Sequence, residues 1–295
     1  MGYSIIKKLI CISSFILLPF TGFAQKSKTP TFLWMVLSKK DSTPSFILGT
    51  VHHMGPKPIL ANSTLMKLIA GSRAIVQEAD TTELFHNKNN NFQTTTQTAL
   101  DELLGYADYQ FVKSEFYHAT GEDLENYKYE MPQVILQIIG NAQKKKAGLP
   151  TKELLMENAF YAVSVLKNIP IYGLENRAEN FHLMYETMPL SDQAKMLMIS
   201  LKDLKFTDRG ELMSECFNRQ DLDCLCKIDD LKNYTRPGDL NMIVARNLFW
   251  FPKITKHIEN GNTFIAVGAA HLCGKAGVIN LLKSKGYVVV PIKTE

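Results

Sequence analysis

Two histidines in this chain of 295 residues stand three residues after a glycine, each at the end of an apolar run. The first run, FILGTVHHMGP (46–56), contains Gly49-Thr-Val-His52, and the second, FIAVGAAHLCG (264–274), contains Gly268-Ala-Ala-His271. Short apolar runs bounded by turn residues indicate buried strands. Because open α/β sheets bind ligands outside the carboxyl ends of their strands, the repeated G-x-x-H motif predicts one site assembled from both ends of the sequence.

Carboxylates follow two other predicted strands. Glu78 ends the run RAIVQE, and Glu175 ends PIYGLE. Imidazole and carboxylate groups are the usual ligands of a catalytic divalent metal, which keeps an open position for water. We therefore expect His52, Glu78 and His271 to bind a metal ion, with the two glycines allowing close backbone approach.

Each residue also has a plainer interpretation. A single strand-end His or Glu is more often a cap or a surface hydrogen-bonding group, and only the repeated motif favours function. Glu175 is a fourth ligand, a base, a hydrogen-bonding support or a purely structural residue. Arg246 lies on an apolar helix where a charge needs a partner, so it either clamps a carboxylate or substrate oxyanion or forms a structural ion pair. His53 should point away from His52, as a supporting or surface residue.

Apolar periodicity predicts an α/β fold with a mixed central sheet flanked by helices. Strands 31–38 and 45–51 should form a hairpin, with βα units elsewhere. The segment of about 97–168 is mostly helical and lies between predicted strands. We therefore expect one domain (25–295) with a helical insertion rather than two domains.

The first 24 residues have the features of a cleaved secretory signal. Lys7 and Lys8 precede an apolar segment (9–20), and Gly22-Phe-Ala24 provides small residues for cleavage before Gln25. The segment is shorter than the ~20 apolar residues that span a bilayer. We expect export to the periplasm or the extracellular space without a stable membrane span, with a retained interfacial anchor as the alternative.

The charge balance argues against a nucleic-acid partner. Without Lys7 and Lys8, the 33 basic residues fall to 31, against 29 acidic ones. The one basic cluster, 144–146, is interpreted as a solvated helix end. The sequence has no G-x-S-x-G, H-E-x-x-H, Walker or dinucleotide-binding motif, which disfavours serine hydrolases, zincins, nucleotidases and dehydrogenases.

Export permits disulfides among the four cysteines that follow the signal segment. Cys216 lies close in sequence to Cys224 and Cys226, so it is expected to pair with one of them. A Cys-x-Cys zinc site is the competing interpretation, but no nearby His supports it.

The quoted residues make the chain resemble the TraB/PrgY/GumN family, which includes the Tiki metalloproteases. The resemblance covers almost all of the chain after the signal segment. The matching segments are Phe32-Leu-Trp34, Leu48-Gly-Thr-Val-His52, Glu78, Gly173-Leu-Glu175, Arg246-Asn247 and the run 267–278, VGAAHLCGKAGV. The sequence departs from the family pattern at His53 and at Cys273. Because the family loop is tight there, Cys273 is interpreted as a small buried residue rather than a soft metal ligand.

The resemblance implies a fold similar to erythromycin-esterase-like and ChaN-like proteins. In its Tiki branch it implies proteolysis that depends on a divalent metal, with manganese or cobalt favoured and zinc or iron possible. At the matching positions of this sequence, the resemblance implies that the metal ligands are His52, Glu78 and His271. Arg246 or Glu175 would stabilise the oxyanion or transfer a proton.

We therefore expect an exported metal-dependent hydrolase that cleaves a peptide bond in a peptide or protein substrate. One alternative is a metal-independent, esterase-like hydrolase in which His52 is the general base and Glu78 orients it. The other is a binding protein that holds a peptide, haem or small signal without turnover.

Overall fold

The computed structural model describes residues 31–38, 43–79, 92–149, 155–203, 206–228 and 230–293. The predicted signal segment and the first part of the predicted loop after Glu78 lie outside these residues. Within them, no helix is long and apolar enough to cross a membrane.

Six strands form one mixed sheet in the order β4-β3-β5-β2-β1-β6. The four strands β2, β5, β3 and β4 are parallel to one another, whereas β1 is antiparallel to both β2 and β6. The predicted hairpin and the mixed α/β sheet are thereby confirmed. The bounds are β1 Leu33–Leu37, β2 Ser45–Thr50, β3 Ala74–Ala79, β4 Ile171–Glu175, β5 Thr263–Gly268 and β6 Val288–Ile292.

The central strands are continuous apolar runs because helices cover both faces of the sheet. Every residue of β2 and β5 is buried, whereas the edge strand β6 is buried only in part. Thr50 of β2 pairs with Gly268 of β5, and Gln77 of β3 pairs with Ala266 of β5. This register brings the carboxyl ends of three neighbouring strands to the same edge of the sheet.

Twelve α-helices are found among the described residues, together with short 3-10 and π segments. The α-helices are α1 Lys57–Leu60, α2 Ser63–Ala70, α3 Leu100–Leu104, α4 Tyr106–Thr120, α5 Pro132–Lys146, α6 Asn158–Lys167, α7 Arg177–Phe181, α8 Leu190–Lys202, α9 Phe206–Asn218, α10 Leu222–Ile228, α11 Arg246–Glu259 and α12 Val278–Ser284. The 3-10 and π segments are Leu124–Tyr127, His182–Glu186, Asp239–Ala245 and Ala269–Leu272.

Local sequence signals set several helix ends. The Asn62 side chain accepts a hydrogen bond from Leu65 N at 2.9 Å and caps α2, as its sequence predicts. Pro252 lies inside α11, which runs from Arg246 to Glu259. A 3-10 turn and a loop come between β5 and α12, which begins at Val278.

The buried apolar residues form two clusters. The larger one covers the sheet, and the smaller one lies between α3, α4, α5 and α8. Three α-helices of the predicted insertion, α3 to α5, therefore have a core of their own, which α8 completes from beyond β4, whereas α6 packs in the larger cluster.

Two disulfides bond the four cysteines. Cys216 pairs with Cys224, one of the two expected partners. Cys226 pairs with Cys273 across 47 residues. Cys273 is buried, as interpreted from the sequence, but its disulfide bond was not expected. Sequence proximity could not reveal this second bond, since only the fold brings α10 to the loop after β5.

Candidate active site

Three side chains from neighbouring strand ends surround one point beside Gly268. A Cβ placed on Gly268 would lie 3.0 Å from Glu78 Oε1, 3.4 Å from His52 Nε2 and 3.6 Å from His271 Cδ2. The cause is the register of β2, β5 and β3, in which β5 lies between the other two strands. The structure thus brings together the three residues that the sequence proposed as ligands.

The two glycines of the G-x-x-H motifs leave room for this arrangement. A Cβ on Gly49 would lie 2.9 Å from Leu272 Cδ1 and 3.1 Å from the Cα of Ala269. Neither glycine has a positive φ, so the constraint is space and not backbone conformation. Glycine at these positions lets β2 contact the turn that contains His271, and lets the site side chains approach β5.

His271 is held as a neutral ring in one tautomer. Burial lowers its pKa to about 3. Its Nδ1 lies 2.8 Å from Asn247 Oδ1, and the Asn247 amide nitrogen donates to the carbonyl oxygens of His271 and Ala276. These two bonds fix the amide orientation, so Nδ1 must donate the proton and Nε2 keeps its lone pair. Nε2 lies 3.8 Å from Glu78 Oε1.

His52, unlike His271, has a raised pKa. Its Nδ1 lies 2.8 Å from Glu157 Oε1, and 51% of its side chain remains exposed. The charge of Glu157, opposed by partial desolvation, raises the pKa of His52 to about 9. His52 is therefore an imidazolium at neutral pH, with Nε2 directed towards the shared point beside Gly268.

Glu78 is an ionised carboxylate that is held at both oxygens. Oε2 accepts a hydrogen bond from Arg246 Nη2 at 2.9 Å, and Oε1 accepts one from Gly268 N. Burial acts to raise its pKa, but Arg246, His271 and His52 outweigh this effect and lower the pKa to about 2. Glu78 therefore carries a fixed negative charge at physiological pH.

Arg246 links the two predicted site carboxylates. Its Nε and Nη2 donate to Glu175 at 2.8 and 3.0 Å, in addition to the bond to Glu78. Glu175 is fully buried and also accepts bonds from Trp250 Nε1 at 2.7 Å and Asn180 Nδ2 at 2.8 Å. The structure thus surrounds Glu175 with donors, and Arg246 connects it to Glu78.

A cavity of about 510 Å³ opens beside His52. Its walls come mainly from α5, α8 and α9 and from the π segment before α11, with Ala270 next to the site. In α9, Gly210 lies against His53, and a Cβ on Gly210 would lie 2.0 Å from the His53 ring. His53 thus packs beneath α9, and His52 faces the cavity.

Sequence reasoning missed Glu157, Asn247 and Lys144 as members of this region. Glu157 replaces Glu78 as the carboxylate on His52 Nδ1, which corrects the expected orientation of His52. Its signal was an acidic residue directly after the apolar run 154–156. Lys144 was interpreted as solvated, yet it is partly buried and lines the cavity.

The donor types fit a divalent metal. A neutral imidazole, an ionised carboxylate and a second imidazole held at Nδ1 by an acid are the ligands such ions take. The Nε2 lone pair of His271 faces Arg246 Nη1 at 3.4 Å, so an ion would have to displace this contact. The spacing of the donors is wider than in a formed site: among the described residues, no group of three or more His, Cys, Asp or Glu side chains is placed to hold a metal ion. Metal binding would require His52 to lose its proton and the donors to move closer together.

Comparison with known proteins supplies the family and nothing finer. No curated protein and no solved structure matches the chain. The model of the TraB/PrgY/gumN family matches residues 32–291, which include the whole sheet except the last residue of β6 and all the site residues described above. This chain belongs to the TraB/PrgY/gumN family.

Proposed function

We propose that this protein is an exported metal-dependent hydrolase that cleaves a peptide bond in a peptide or protein substrate. The observation that carries the proposal is the grouping of His52 Nε2, Glu78 Oε1 and the His271 ring around one point. We expect manganese or cobalt first, with zinc or iron as other candidates. When bound, such an ion acidifies a water molecule and polarises a carbonyl group.

The protein groups divide the remaining tasks. His271 is neutral at all physiological pH values and presents Nε2 without a proton cost. Glu78 supplies negative charge, and Arg246 keeps this carboxylate ionised and oriented. Glu175 anchors Arg246 from the buried side. We propose that Arg246 and Glu175 therefore act by positioning Glu78 and do not transfer a proton to the substrate.

His52 and Glu157 form the adjustable part of the site. The proton on His52 Nε2 must leave before this atom can bind a cation, and the charge of Glu157 beside Nδ1 opposes that loss. Metal affinity should therefore rise with pH until His52 is neutral. Once it is neutral, Glu157 accepts the Nδ1 hydrogen and keeps Nε2 directed towards Glu78.

Two features support export. The first is the signal-like segment 1–24 of the sequence. The second is the pair of disulfides, since such bonds persist in oxidising compartments and are rare in the cytosol.

The experiment is metal analysis of purified residues 25–295, followed by a peptide-hydrolysis screen before and after chelation. A His52→Ala/His271→Ala double variant is compared with His118→Ala, whose side chain lies on α4 away from the strand ends. We expect roughly one ion per chain in the wild type and in His118→Ala, and loss of both metal and hydrolysis in the double variant. A folded wild type that binds no metal when reloaded and hydrolyses no peptide would refute the proposal.

The Glu157–His52 pair favours one second candidate, a metal-independent hydrolase. A carboxylate on Nδ1 with Nε2 facing a cavity is the arrangement of a histidine acid–base group. In that case hydrolysis would survive exhaustive chelation and would be lost in His52→Ala. Ligand capture without any change in ligand mass would instead identify a binding protein.

A further inference from the structure

The cavity beside His52 has walls of two chemical kinds. Much of its lining is apolar and flexible, with four methionine side chains on four different segments. Methionine adapts its shape to its partner, so such a wall accepts apolar groups of differing form. The four are Met184, Met196, Met213 and Met242.

The charged part of the lining is mainly basic. Lys144, Arg209 and Arg236 line the cavity, against the carboxylates of Glu115 and Asp239. Asp239 already accepts a hydrogen bond from Arg236 N at 2.9 Å.

The two arginines lie beside each other. Arg209 Nη2 is 4.0 Å and Arg236 Nη2 is 3.7 Å from the same Oδ2 atom of Asp203. Both distances exceed that of a direct hydrogen bond. The Asp203 side chain is 53% exposed, whereas the arginine side chains are only 13% and 16% exposed. Two largely enclosed guanidinium groups thus lie near one carboxylate that is largely open to solvent. Each guanidinium has five N–H donors, so a ligand carboxylate can bind beside Asp203.

The position of α9 connects this charge to the site. Arg209 precedes Gly210, whose missing side chain allows α9 to lie directly on the His53 ring. Met213, one turn later on the same helix, belongs to the apolar wall. One helix therefore presents a cation and an apolar group to the cavity that His52 faces.

From this arrangement we infer that the cavity binds a peptide segment with apolar side chains and a carboxylate, which pairs with Arg209 and Arg236. The inference rests on the proposed function, because it names the substrate class of that site. The carboxylate comes either from a peptide C-terminus or from an acidic side chain, and the two sources have the same binding chemistry.

The test measures equilibrium binding of four fluorescent peptides of equal length to purified residues 25–295. One is apolar with a free C-terminus, the second is the same peptide amidated, the third is amidated with an internal Glu, and the fourth is a Ser-rich peptide with a free C-terminus. The mass of each peptide is checked afterwards. We expect the first to bind at least tenfold more tightly than the second and the fourth. If the third peptide binds as tightly as the first, an acidic side chain is sufficient to supply the carboxylate. If it binds as weakly as the second, the carboxylate must come from the C-terminus.

The variants locate the interaction. In Arg209→Gln/Arg236→Gln the free-acid and amidated peptides should bind equally, whereas Arg209→Lys/Arg236→Lys should keep most of the preference. Arg219→Gln is the matched control, since Arg219 is exposed and donates to Cys224 Sγ outside the cavity. Equal binding of the first two peptides by the wild type, or an unchanged preference in the Gln variant, would overturn the inference. Binding with this preference but without hydrolysis would contradict only the proposed function.

Discussion

Glu157 Oε1 lies 2.8 Å from His52 Nδ1, and this contact sets the charge of the candidate site. It joins the N-terminus of α6 to the end of β2, two segments that are about a hundred residues apart in sequence. The result is a protonated histidine next to a histidine that is held neutral, His271.

The first prediction concerns the titration of these two rings in the metal-free protein. Because Glu157 raises the pKa of His52 to about 9, its NMR resonances should shift far above pH 6.5, while His271 stays neutral. Glu157→Gln should return the His52 pKa towards 6.5. A wild-type His52 that titrates near 6.5 would contradict the assignment.

The first prediction extends to the unfolding free energy, which should depend on pH because of the contact between His52 and Glu157. The folded-state pKa of His52 lies above its ordinary value, so its contribution is fully present below pH 6.5 and is lost as the pH rises through about 9. The difference in unfolding free energy between wild type and Glu157→Gln should therefore shrink across that range, as measured by urea unfolding. Glu186→Gln is the control: it removes an equally short but exposed contact to His182 and should have little effect at any pH.

A second prediction concerns Arg246. Arg246→Met leaves Glu78 and Glu175 buried without their cation, which should cost about 3–5 kcal/mol of unfolding free energy. Lys195→Met removes an exposed pair with Asp192 and should cost less than about 1 kcal/mol. Similar losses in the two variants would show that Arg246 does not connect the two carboxylates in solution.

Asn247 provides a third prediction, about the tautomer of His271. Asn247→Ala removes the acceptor at Nδ1, so ¹⁵N NMR should show a mixture of tautomers, and metal affinity should fall about 10–100-fold. Asn247→Asp keeps an acceptor and should preserve the Nδ1-protonated ring. Asn280→Ala, which removes an exposed bond to Gly274 O, serves as the comparison. An unchanged tautomer in Asn247→Ala would refute the role.

The fourth prediction concerns the space beside Gly268. Gly268→Ala inserts a methyl group between Glu78, His52 and His271, so the fold should survive with a loss of about 1–3 kcal/mol while metal binding disappears. Gly71→Ala places a methyl group 3.0 Å from Lys67 O at the end of α2, far from the strand ends, and should leave metal binding intact. Calorimetric titration with manganese and cobalt measures the difference. Full metal binding by Gly268→Ala would place the ion elsewhere.

The last prediction compares the two disulfides. Closing a loop of 47 residues removes more unfolded-state entropy than closing one of 8 residues. Replacing Cys226 and Cys273 by Ala should therefore cost about 4 kcal/mol, against about 2.5 kcal/mol for Cys216 and Cys224. Urea unfolding of the two double variants measures the order. A larger loss of unfolding free energy in the Cys216/Cys224 variant would show that packing in the folded state outweighs the loop-closure entropy.

The sequence by itself predicted the features that depend on a repeated motif or on neighbouring residues in the chain. Continuous apolar runs predicted the central strands, and strand-end chemistry identified His52, Glu78 and His271. The segment of about 97–168, which was predicted to be mostly helical, contains α3, α4, α5 and α6. These signals are local, because each depends on neighbouring residues along one element.

Only the tertiary structure decided which residues share a charge or a bond. The partner of His52, the second disulfide and the cavity above the site all join segments that no periodicity connects. Glu157 shows the physical reason: a carboxylate at a helix start has the same sequence pattern whether it faces solvent or a histidine. The tertiary packing that brings the start of α6 to the end of β2 places Glu157 beside His52, and this contact sets the charge state of His52.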